Sequence, residues 1–339
     1  MTTEQESHPA PTLEAVAALA GVSRATVSRV VNGSPKVTPE VVESVTAAIA
    51  TLNYVPNRAA RSLATRRTQV IALVVPESTA RVFADPFFAS IVQGVAMHLA
   101  DTDYTLNMVI ASETNPDKTR RYLMSGNADG ALVVSHHSGD HSYARLGHSL
   151  PIVFGGRPLN NGQQVSYFVD VDNVAAAESA TLHLINQGRR SIATIAGPQD
   201  MPPGLDRLSG WQKAMAAHGL DQSLVEYGDF APASGTAAMR RLLERGVPID
   251  ALFAANDQMA AGAYSAILEA GLRIPDDIAV VGFDDDYYAK TTAPPLTTVH
   301  QPSVRLGAAM AEVLVKRIAG EAVDRVTILP AELVIRAST

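Results

Sequence analysis

The chain of 339 residues contains no cysteine. Without a thiol it can form no disulfide framework, no thiolate nucleophile and no zinc site with cysteine ligands. It also lacks a run of about 18 apolar residues, the length that a membrane span needs. The first ten residues are polar and mildly acidic, without the basic start and apolar segment of a secretory signal. We therefore expect a cytoplasmic protein of two to three domains with no membrane partner.

Acidic and basic residues are distributed unevenly along the chain, whose net charge is −7. Residues 11–68 hold seven basic and three acidic side chains, a net charge of +4, whereas residues 1–10 carry −2 and residues 69–339 carry −9. No aspartate precedes Asp85. A basic segment beside an acidic remainder indicates two parts with different partners, and a basic part is typical of proteins that bind nucleic acid.

The basic segment contains start and stop signals for three helices. Thr12 can cap a helix from residue 13 to about 19, Ser23 can cap residues 24–31 before the stop at Asn32-Gly33, and Thr38-Pro39-Glu40 begins a helix that runs to Leu52. Two short helices joined by a tight glycine turn and followed by a third are typical of a helix-turn-helix unit. A small helical bundle with solvated arginines would give the same pattern.

In a helix-turn-helix unit the second helix enters the major groove of DNA. Its residues then divide into those facing the bases (Arg24, Ala25, Arg29), those bonding phosphates (Thr26, Ser28) and those packing on neighbouring helices (Val27, Val30, Val31). The alanine offers no hydrogen bond to a base, so the two arginines carry the readable specificity.

Two stretches of sequence are more specific than this helical pattern. Residues 12–33 read TLEAVAALAGVSRATVSRVVNG and residues 52–64 read LNYVPNRAARSLA. Both closely resemble the headpiece of the lactose/galactose repressor family. The resemblance implies a disordered tail at residues 1–10, a headpiece at residues 11–56, and a hinge and linker at residues 57–68. In that family residues matching 57–64 become helical on operator DNA.

The same resemblance implies a set of DNA-contacting positions: Thr12, Ser23, Arg24, Ala25, Thr26, Ser28, Arg29, Asn32, Tyr54, Asn57, Arg58, Ala60 and Leu63. Leu63 matches the leucine that wedges into the minor groove at the centre of a palindrome, where the cost of unstacking a base step is recovered through added contact. Leu63 could also pack within an interdomain linker when DNA is absent, and the two interpretations are compatible.

From Val70 onward, buried strands alternate with amphipathic helices, which predicts an α/β fold with parallel sheets covered on both faces. Ligands of such sheets lie beyond the carboxyl ends of the strands. Polar residues follow several predicted strands: Ser135, His136, Arg157, Asn256, Asp257 and Asp284. Side chains of these types bond the vicinal hydroxyls of neutral polyols. Each of them singly could instead be a loop residue or a helix cap, and Asp257 is well placed as a cap.

Five further segments are similar to the effector domain of the same family: residues 196–198, 207–211, 255–260, 281–285 and 294–302. The resemblance implies two lobes like those of periplasmic sugar-binding proteins, with three crossings of the chain between them. Lobe one would comprise about residues 69–168 plus 300–330, and lobe two about residues 169–299. The implied effector-binding positions are Asp85, Phe87, Ser135, Arg157, Arg207, Phe230, Asn256, Asp284 and Gln301.

The combination of residues 154–158 (FGGRP) with residues 197–201 (GPQDM) looks most like actinobacterial regulators of cellobiose and β-glucoside use, with Arg157 as a distinctive sugar ligand. We therefore expect a transcriptional repressor that a small sugar, a β-linked disaccharide such as cellobiose, releases from a palindromic operator. A repressor that responds to lactose or another galactoside is the alternative. A palindrome requires a twofold partner, and the leucine heptad of the family's tetrameric lactose repressor is absent, so we expect a homodimer.

Two rival functions have weaker support. A transporter's sugar-binding protein would account for the large domain but not for the headpiece. For an enzyme, the run Asp284-Asp285-Asp286 could form a carboxylate site, but adjacent residues of an extended chain point to opposite faces. The histidines at positions 136, 137, 141 and 148 have no cysteine partners and are more typical of a polar surface loop than of a zinc or nickel site, and no Gly-x-Ser-x-Gly motif supports a nucleophilic serine. We expect no catalytic residue, no metal and no cofactor.

Overall fold

The computed structural model describes residues 11–55, 67–111, 116–137, 143, 146–147, 149–159 and 166–339. The chain divides into two compact units, residues 1–68 and residues 69–339. The expected tail at residues 1–10 and the hinge positions Asn57, Arg58, Ala60 and Leu63 lie outside the described residues. Among those described, no helix is both long and apolar enough to cross a membrane.

The first unit contains three helices at the predicted positions: α1 (Leu13–Ala20), α2 (Arg24–Val31) and α3 (Pro39–Leu52). Thr12 and Ser23 cap α1 and α2 through their side chains, whereas Thr38 occupies the cap position of α3 without a side-chain cap bond. Gly33 adopts a φ of +64°, which ends the turn after α2 at no steric cost. The core of this unit is built around Val16, Val27 and Val45, none of which is exposed.

The second unit alternates strands and helices. In chain order its elements are β1 (Val70–Val75), α4 (Thr79–Ala84), α5 (Pro86–Leu99), β2 (Thr105–Ile110), α6 (Pro116–Met124), β3 (Gly130–Val134), β4 (Ile152–Gly155), β5 (Tyr167–Val171), α7 (Asn173–Asn186), β6 (Ile192–Ala196), α8 (Pro202–Ala217), β7 (Val225–Tyr227), α9 (Pro232–Glu244), β8 (Ala251–Ala254), α10 (Asp257–Glu269), β9 (Ala279–Asp284), α11 (Tyr287–Thr291), β10 (Thr297–His300), α12 (Ser303–Ala319), β11 (Val326–Leu329) and β12 (Glu332–Val334). This confirms the predicted α/β fold with parallel sheets.

Two six-stranded sheets define two lobes. The first has the order β11-β5-β4-β3-β1-β2 and is parallel throughout, and the second has the order β12-β10-β9-β8-β6-β7, with only β12 antiparallel. The chain passes between the sheets after β5, after β10 and after β11. Strands β1, β3, β4 and β8 are almost wholly buried, as the continuous apolar runs of parallel strands require.

The structure moves one approximate lobe limit by three residues. Strand β5 belongs to the first sheet and continues to Val171, whereas lobe one was expected to reach about residue 168. Strand β12 pairs with β10, so the chain lies in the second lobe after the three expected crossings.

Close helix packing brings the strand ends of the first lobe into place. Helices α5 and α12 cross at Gly94, where a Cβ atom would lie 1.8 Å from the carbonyl oxygen of Val304. Only glycine allows the two backbones to approach so closely. This contact fixes the start of α5, which carries Asp85 and Phe87, against the start of α12, which follows Gln301.

Candidate functional site

The surface of α2 presents the residues predicted to read DNA. Arg24, Ala25 and Arg29 are exposed, while Val27 is buried and faces the core. Arg24 Nε lies 3.2 Å from Glu14 Oε1, and both side chains are more than half exposed. An exposed ion pair of this kind contributes little stability, so Arg24 can exchange its partner for a base or a phosphate.

Two polar residues of this surface shape the helix ends. Ser23 Oγ accepts a hydrogen bond from the Thr26 backbone N–H at 3.1 Å, and the two hydroxyl oxygens are 2.9 Å apart. Asn32 donates from Nδ2 to Ser28 Oγ at 3.4 Å. Thr12, Ser23 and Asn32 are exposed, and Thr26 and Ser28 are partly exposed.

Among the predicted DNA contacts that the structure describes, Tyr54 alone is buried. Its side chain is only 7% exposed and packs in the core of the first unit rather than on the surface with the arginines. The residue follows the left-handed Asn53 at the end of α3, which turns the chain back onto the bundle. The aromatic ring therefore has a structural role.

The second unit contains a cleft between the carboxyl ends of the two sheets, enclosing about 720 Å³ of space that is partly open to solvent. Of the nine predicted effector-binding residues, eight line it: Asp85, Phe87, Ser135, Arg207, Phe230, Asn256, Asp284 and Gln301. They come from strand ends and helix starts of both lobes, where open α/β sheets bind their ligands.

Arg207, on α8, is the centre of the polar network. It is 4% exposed, and it donates from Nε to Asn173 Oδ1 at 2.9 Å and from Nη2 to Gln301 Oε1 at 2.9 Å. Its guanidinium lies 3.6 Å from the centroid of the Phe283 ring, a cation–π contact on a desolvated face. Nη1 lies 3.3 Å from Asp284 Oδ1. Five donors in a planar fork are held in one geometry, which suits recognition of neighbouring oxygens.

Asp284 lies at the end of β9 with a φ of +111°, a conformation that residues other than glycine rarely adopt. Burial raises the pKa of its carboxyl group to about 7, Arg207 opposes this shift, and Asp286 and Asp85 add to it by charge repulsion. Burial likewise raises the pKa of Asp286 to about 6. The cleft therefore holds a carboxyl group, that of Asp284, which ionises near neutral pH and can both accept and donate hydrogen bonds.

Asn256 rather than Asp257 caps α10. The interpretation of Asp257 as a helix cap is therefore wrong. Asn256 Oδ1 accepts from the Met259 backbone N–H, and its Nδ2 donates to the Phe230 carbonyl oxygen, both at 2.9 Å. Asp257 is fully buried and accepts from Thr298 Oγ1 at 2.5 Å and from the Asp286 backbone N–H at 3.0 Å. It holds β10 and the loop after β9 together and does not line the cleft.

Ser135 and Asp85 are held by local bonds on the first lobe. Ser135, with a φ of +57°, donates from Oγ to Glu77 Oε1 at 2.6 Å. Asp85 caps α5 by accepting from the Phe87 backbone N–H at 3.0 Å, and burial raises the pKa of its carboxyl group. These bonds fix one side of the cleft.

Arg157 is the predicted sugar ligand that does not line the cleft. It donates from Nη2 to Asp206 Oδ1 at 2.7 Å and from Nε to Asp206 Oδ2 at 3.3 Å. Arg157 follows β4 in the first lobe and Asp206 lies on α8 in the second, so this bidentate pair joins the lobes. The FGGRP segment gave no indication of a partner 49 residues further along the chain.

A second contact between the lobes involves His137. Its Nδ1 lies 2.7 Å from Asp200 Oδ2 on the second lobe, and its Nε2 lies 3.2 Å from Glu77 Oε1 on the first. The bond with Glu77 raises the pKa of His137 to about 9, assisted by Asp200 and opposed by burial. The imidazole is therefore protonated near neutral pH. Among the described residues, no cluster of three metal-ligating side chains occurs.

Several residues of the cleft were not among the predicted effector positions. Arg81, Asp170 and Asn173 line it, as does His136, which the sequence reading placed only at a strand end. Asp170 accepts from the Arg157 backbone N–H at 2.7 Å, and Asn173 donates to Asp170 at 3.0 Å. Asp170 and Asn173 lie where β5 ends, and so they follow the same rule as the predicted effector residues, which also lie at the carboxyl ends of strands.

A three-helix unit that displays arginines, linked in one chain to a two-lobed α/β unit with a polar cleft, defines a DNA-binding regulator controlled by a small ligand. Comparison with known protein families supports this description of both the three-helix unit and the α/β unit. Residues 12–57 match the model for bacterial regulatory proteins of the lacI family, and residues 181–339 match the periplasmic binding protein-like domain.

Relatives cover nearly the full length. The chain is 46% identical to the HTH-type transcriptional regulator CelR of Thermobifida fusca over 97% of this chain and 98% of that one. It is 34% identical to the ribose operon repressor of Escherichia coli K12 over 91% and 93% of the two chains. The chain therefore belongs to the lacI family of bacterial regulatory proteins, which confirms the expected family and the expectation of a regulator rather than an enzyme.

Two solved structures are similar over almost all of the chain. A complex of the transcriptional regulator CelR with cellobiose has a TM-score of 0.77 and 44% identity, covering 97% of this chain and 100% of that one. The lac repressor dimer bound to operator and the anti-inducer ONPF has a TM-score of 0.86 and 30% identity, covering 97% and 99%.

Proposed function

We propose that the chain is a repressor of sugar-utilisation genes that binds a palindromic operator as a homodimer and is released by a β-linked glucose disaccharide, cellobiose in particular. The observation that carries this proposal is the 46% identity to CelR over 97% of the chain, together with the likeness to a CelR–cellobiose complex. Because bacterial operators lie in the cytoplasm, this function also places the protein there.

In the DNA-binding half, α2 of each protomer enters a major groove. Arg24 and Arg29 bond base edges, while Thr26, Ser28 and the capping residues contact the backbone. Residues 57–64 of the two protomers form the hinge at the palindrome centre, where each Leu63 enters the minor groove. The exposure of both arginines on α2 supports the first part, and the resemblance in sequence supports the second.

In the sugar-binding half, Asp284 accepts hydrogen bonds from sugar hydroxyl groups while Arg207 and Asn256 donate. Gln301 uses Oε1 to hold Arg207, so its amide nitrogen is the group that we expect to meet the sugar. Phe230 and Phe87 provide aromatic faces for the sugar ring, and Asp85 and Ser135 close the opposite side.

Sugar binding can be coupled to DNA binding because the cleft residues come from both lobes. Asp85 and Ser135 belong to the first lobe, whereas Arg207, Asn256 and Asp284 belong to the second. A sugar that contacts both lobes binds one arrangement of them better than the other and shifts the population toward it. That shift separates the two hinges, and bound sugar lowers the affinity for the operator by the same factor by which bound operator lowers the affinity for the sugar.

Calorimetry tests this proposal directly. The full-length protein is titrated with cellobiose, lactose, galactose and glucose, without and with a palindromic operator duplex. We expect cellobiose to bind most tightly and the operator to weaken its binding, because linkage is reciprocal. Operator binding that strengthens cellobiose binding would reverse the sign of the coupling, and no response to any of the four sugars would contradict the proposed effector class.

A galactoside is the second candidate effector. The lac repressor bound to ONPG in the repressed state is similar to this chain with a TM-score of 0.84 and 31% identity. A few side chains decide which sugar fits a shared cleft. Tight binding of lactose with weak binding of cellobiose in the same titration would favour this candidate.

A further inference from the structure

The ion pair of Arg157 and Asp206 crosses the boundary between the two lobes and occupies both carboxylate oxygens. Arg157 Nη2 donates to Oδ1 at 2.7 Å, and Nε donates to Oδ2 at 3.3 Å. A fork of two such bonds fixes the orientation of the partners as well as their distance. The Asp206 side chain is 19% exposed, so solvent screens the pair only in part. Movement of the lobes apart at this point must break both bonds.

The same pair closes a ring of contacts that includes the polar network of the cleft. Asp206 directly precedes Arg207 on α8, and Arg207 Nε donates to Asn173 Oδ1 at 2.9 Å. Asn173 Nδ2 donates to Asp170 Oδ1 at 3.0 Å, and Asp170 Oδ2 accepts from the Arg157 backbone N–H at 2.7 Å. The ring therefore starts and ends at Arg157 and passes through residues that line the cleft.

The two members of the pair act on the cleft through these neighbours, because neither of them lines it. Asp170, Asn173 and Arg207 do line it, and all three are buried. Buried polar groups that bond to one another hold a single geometry. The position of Arg207 against the first lobe therefore depends on whether the Arg157–Asp206 pair is formed.

We propose that Arg157 and Asp206 form an interlobe latch, which positions Arg207 against the first lobe and so favours the arrangement of the lobes that binds the effector. This role rests on the proposed function, because its effect on affinity requires a sugar that contacts both lobes. The apparent dissociation constant equals the intrinsic constant divided by the fraction of protein in the competent arrangement. The latch raises that fraction and so tightens binding without touching the sugar.

Hydrogen exchange measures the latch without any ligand. In the sugar-free full-length protein, deuterium uptake is compared in the two segments that the pair joins, residues 152–158 and residues 202–208. Loss of the pair lowers the free energy of opening the lobes. We therefore expect these amides to exchange about three- to tenfold faster in Arg157→Met and in Asp206→Ala than in the wild type. Equal exchange in all three proteins would mean that the pair does not hold the lobes together.

A double-mutant cycle separates the latch from a direct contact with sugar. Calorimetry measures cellobiose binding to the wild type, to Arg157→Met, to Asp206→Ala and to the double variant. Each single variant should bind cellobiose about three- to tenfold more weakly, as expected for a partly exposed bidentate pair. The double variant should lose no more than either single variant, because the first change already removes the interaction.

Arg240→Met is the matched control. Arg240 donates to Glu269 Oε2 from Nη2 at 2.7 Å and from Nε at 3.2 Å, and this pair lies wholly within the second lobe. Its loss should leave both the exchange of the two segments and cellobiose binding as in the wild type. A cooperative melting transition verifies that each variant is folded.

Two results of the binding cycle would overturn the latch while the proposed function stands. Losses that add, or a loss confined to Arg157→Met, would mean that Arg157 contacts the sugar itself. Wild-type affinity in both single variants would mean that the pair does not influence the cleft. If the wild type binds no cellobiose, the proposed function fails, and the exchange rates alone decide whether the latch exists.

Discussion

Asp284 combines a left-handed backbone, burial and acidic neighbours in a single residue. Each feature alone opposes an aspartate at this position, and strained, buried groups of this kind concentrate at functional sites. Arg207 is the principal compensation, because its guanidinium lies 3.3 Å from the carboxylate. The pair is oriented before a ligand arrives, which reduces the ordering cost of binding.

Replacing Asp284 with asparagine should weaken sugar binding without affecting DNA binding. The change keeps the shape but removes the charge, and hydrogen bonds to charged groups contribute about 1.5–3 kcal/mol. We therefore expect cellobiose affinity, measured by calorimetry, to fall by about 10- to 150-fold. Sugar-free operator affinity should stay unchanged, and the variant should need more sugar for release.

Asp276→Asn is the matched control, because Asp276 is exposed and pairs only with Arg273 among the contacts seen here. It should bind cellobiose like the wild type. Wild-type affinity in the Asp284→Asn protein would remove Asp284 from the sugar site.

At the scale of elements, local signals predicted the helices of the first unit well. The caps at Thr12 and Ser23 and the glycine after α2 act within a few residues, so the sequence contains the whole signal. Strand β5 was missed because the polar Asp170 interrupts its apolar run. Its absence from the prediction concealed Asp170 and Asn173, although both lie where the strand-end rule would have placed ligand residues. The pairing of Arg157 with Asp206 was not predictable, because Asp206 is brought near only by the tertiary fold.

Helix α2 allows DNA recognition to be tested separately from sugar binding. Arg24→Ala should weaken operator binding by about 5- to 150-fold for each protomer of the dimer, because a side chain that reads a base is worth about 1–3 kcal/mol. Glu14→Gln, which removes the carboxylate beside Arg24, should change operator affinity by less than about fivefold for each protomer, since an exposed pair contributes about 0–1 kcal/mol. Fluorescence anisotropy with a labelled operator measures both. Equal losses in the two variants would mean that the ion pair, rather than base reading, positions α2.

At the scale of the whole molecule, two ion pairs connect the same two lobes that a sugar in the cleft would contact. Arg157–Asp206 and His137–Asp200 connect the first lobe to the second. The charge division between the units acts at the same scale. Because the acidic residues 69–339 are repelled by DNA, the basic headpieces determine how the protein binds it.

The His137 contact should make stability depend on pH between about 6.5 and 9. The pKa of His137 is raised to about 9 in the folded chain, so the folded state holds the proton where the unfolded state has released it. The stabilisation is thus complete below about pH 6.5 and is lost as the pH rises through about 9. Asp200 is half exposed, and solvent screening reduces the contribution to about 1–2 kcal/mol.

Calorimetric unfolding of the wild type and of His137→Gln at pH 6 and pH 10 measures this contribution. We expect the Tm of the wild type to fall by about 2–8 °C more than that of His137→Gln, because 1 kcal/mol corresponds to about 2–4 °C in a unit of this size. Other groups that titrate in this range affect both proteins alike and cancel. Asp200→Asn should lie between the two, since Glu77 still holds the imidazolium from the first lobe. Parallel decreases in all three proteins would mean that His137 does not stabilise the joined lobes.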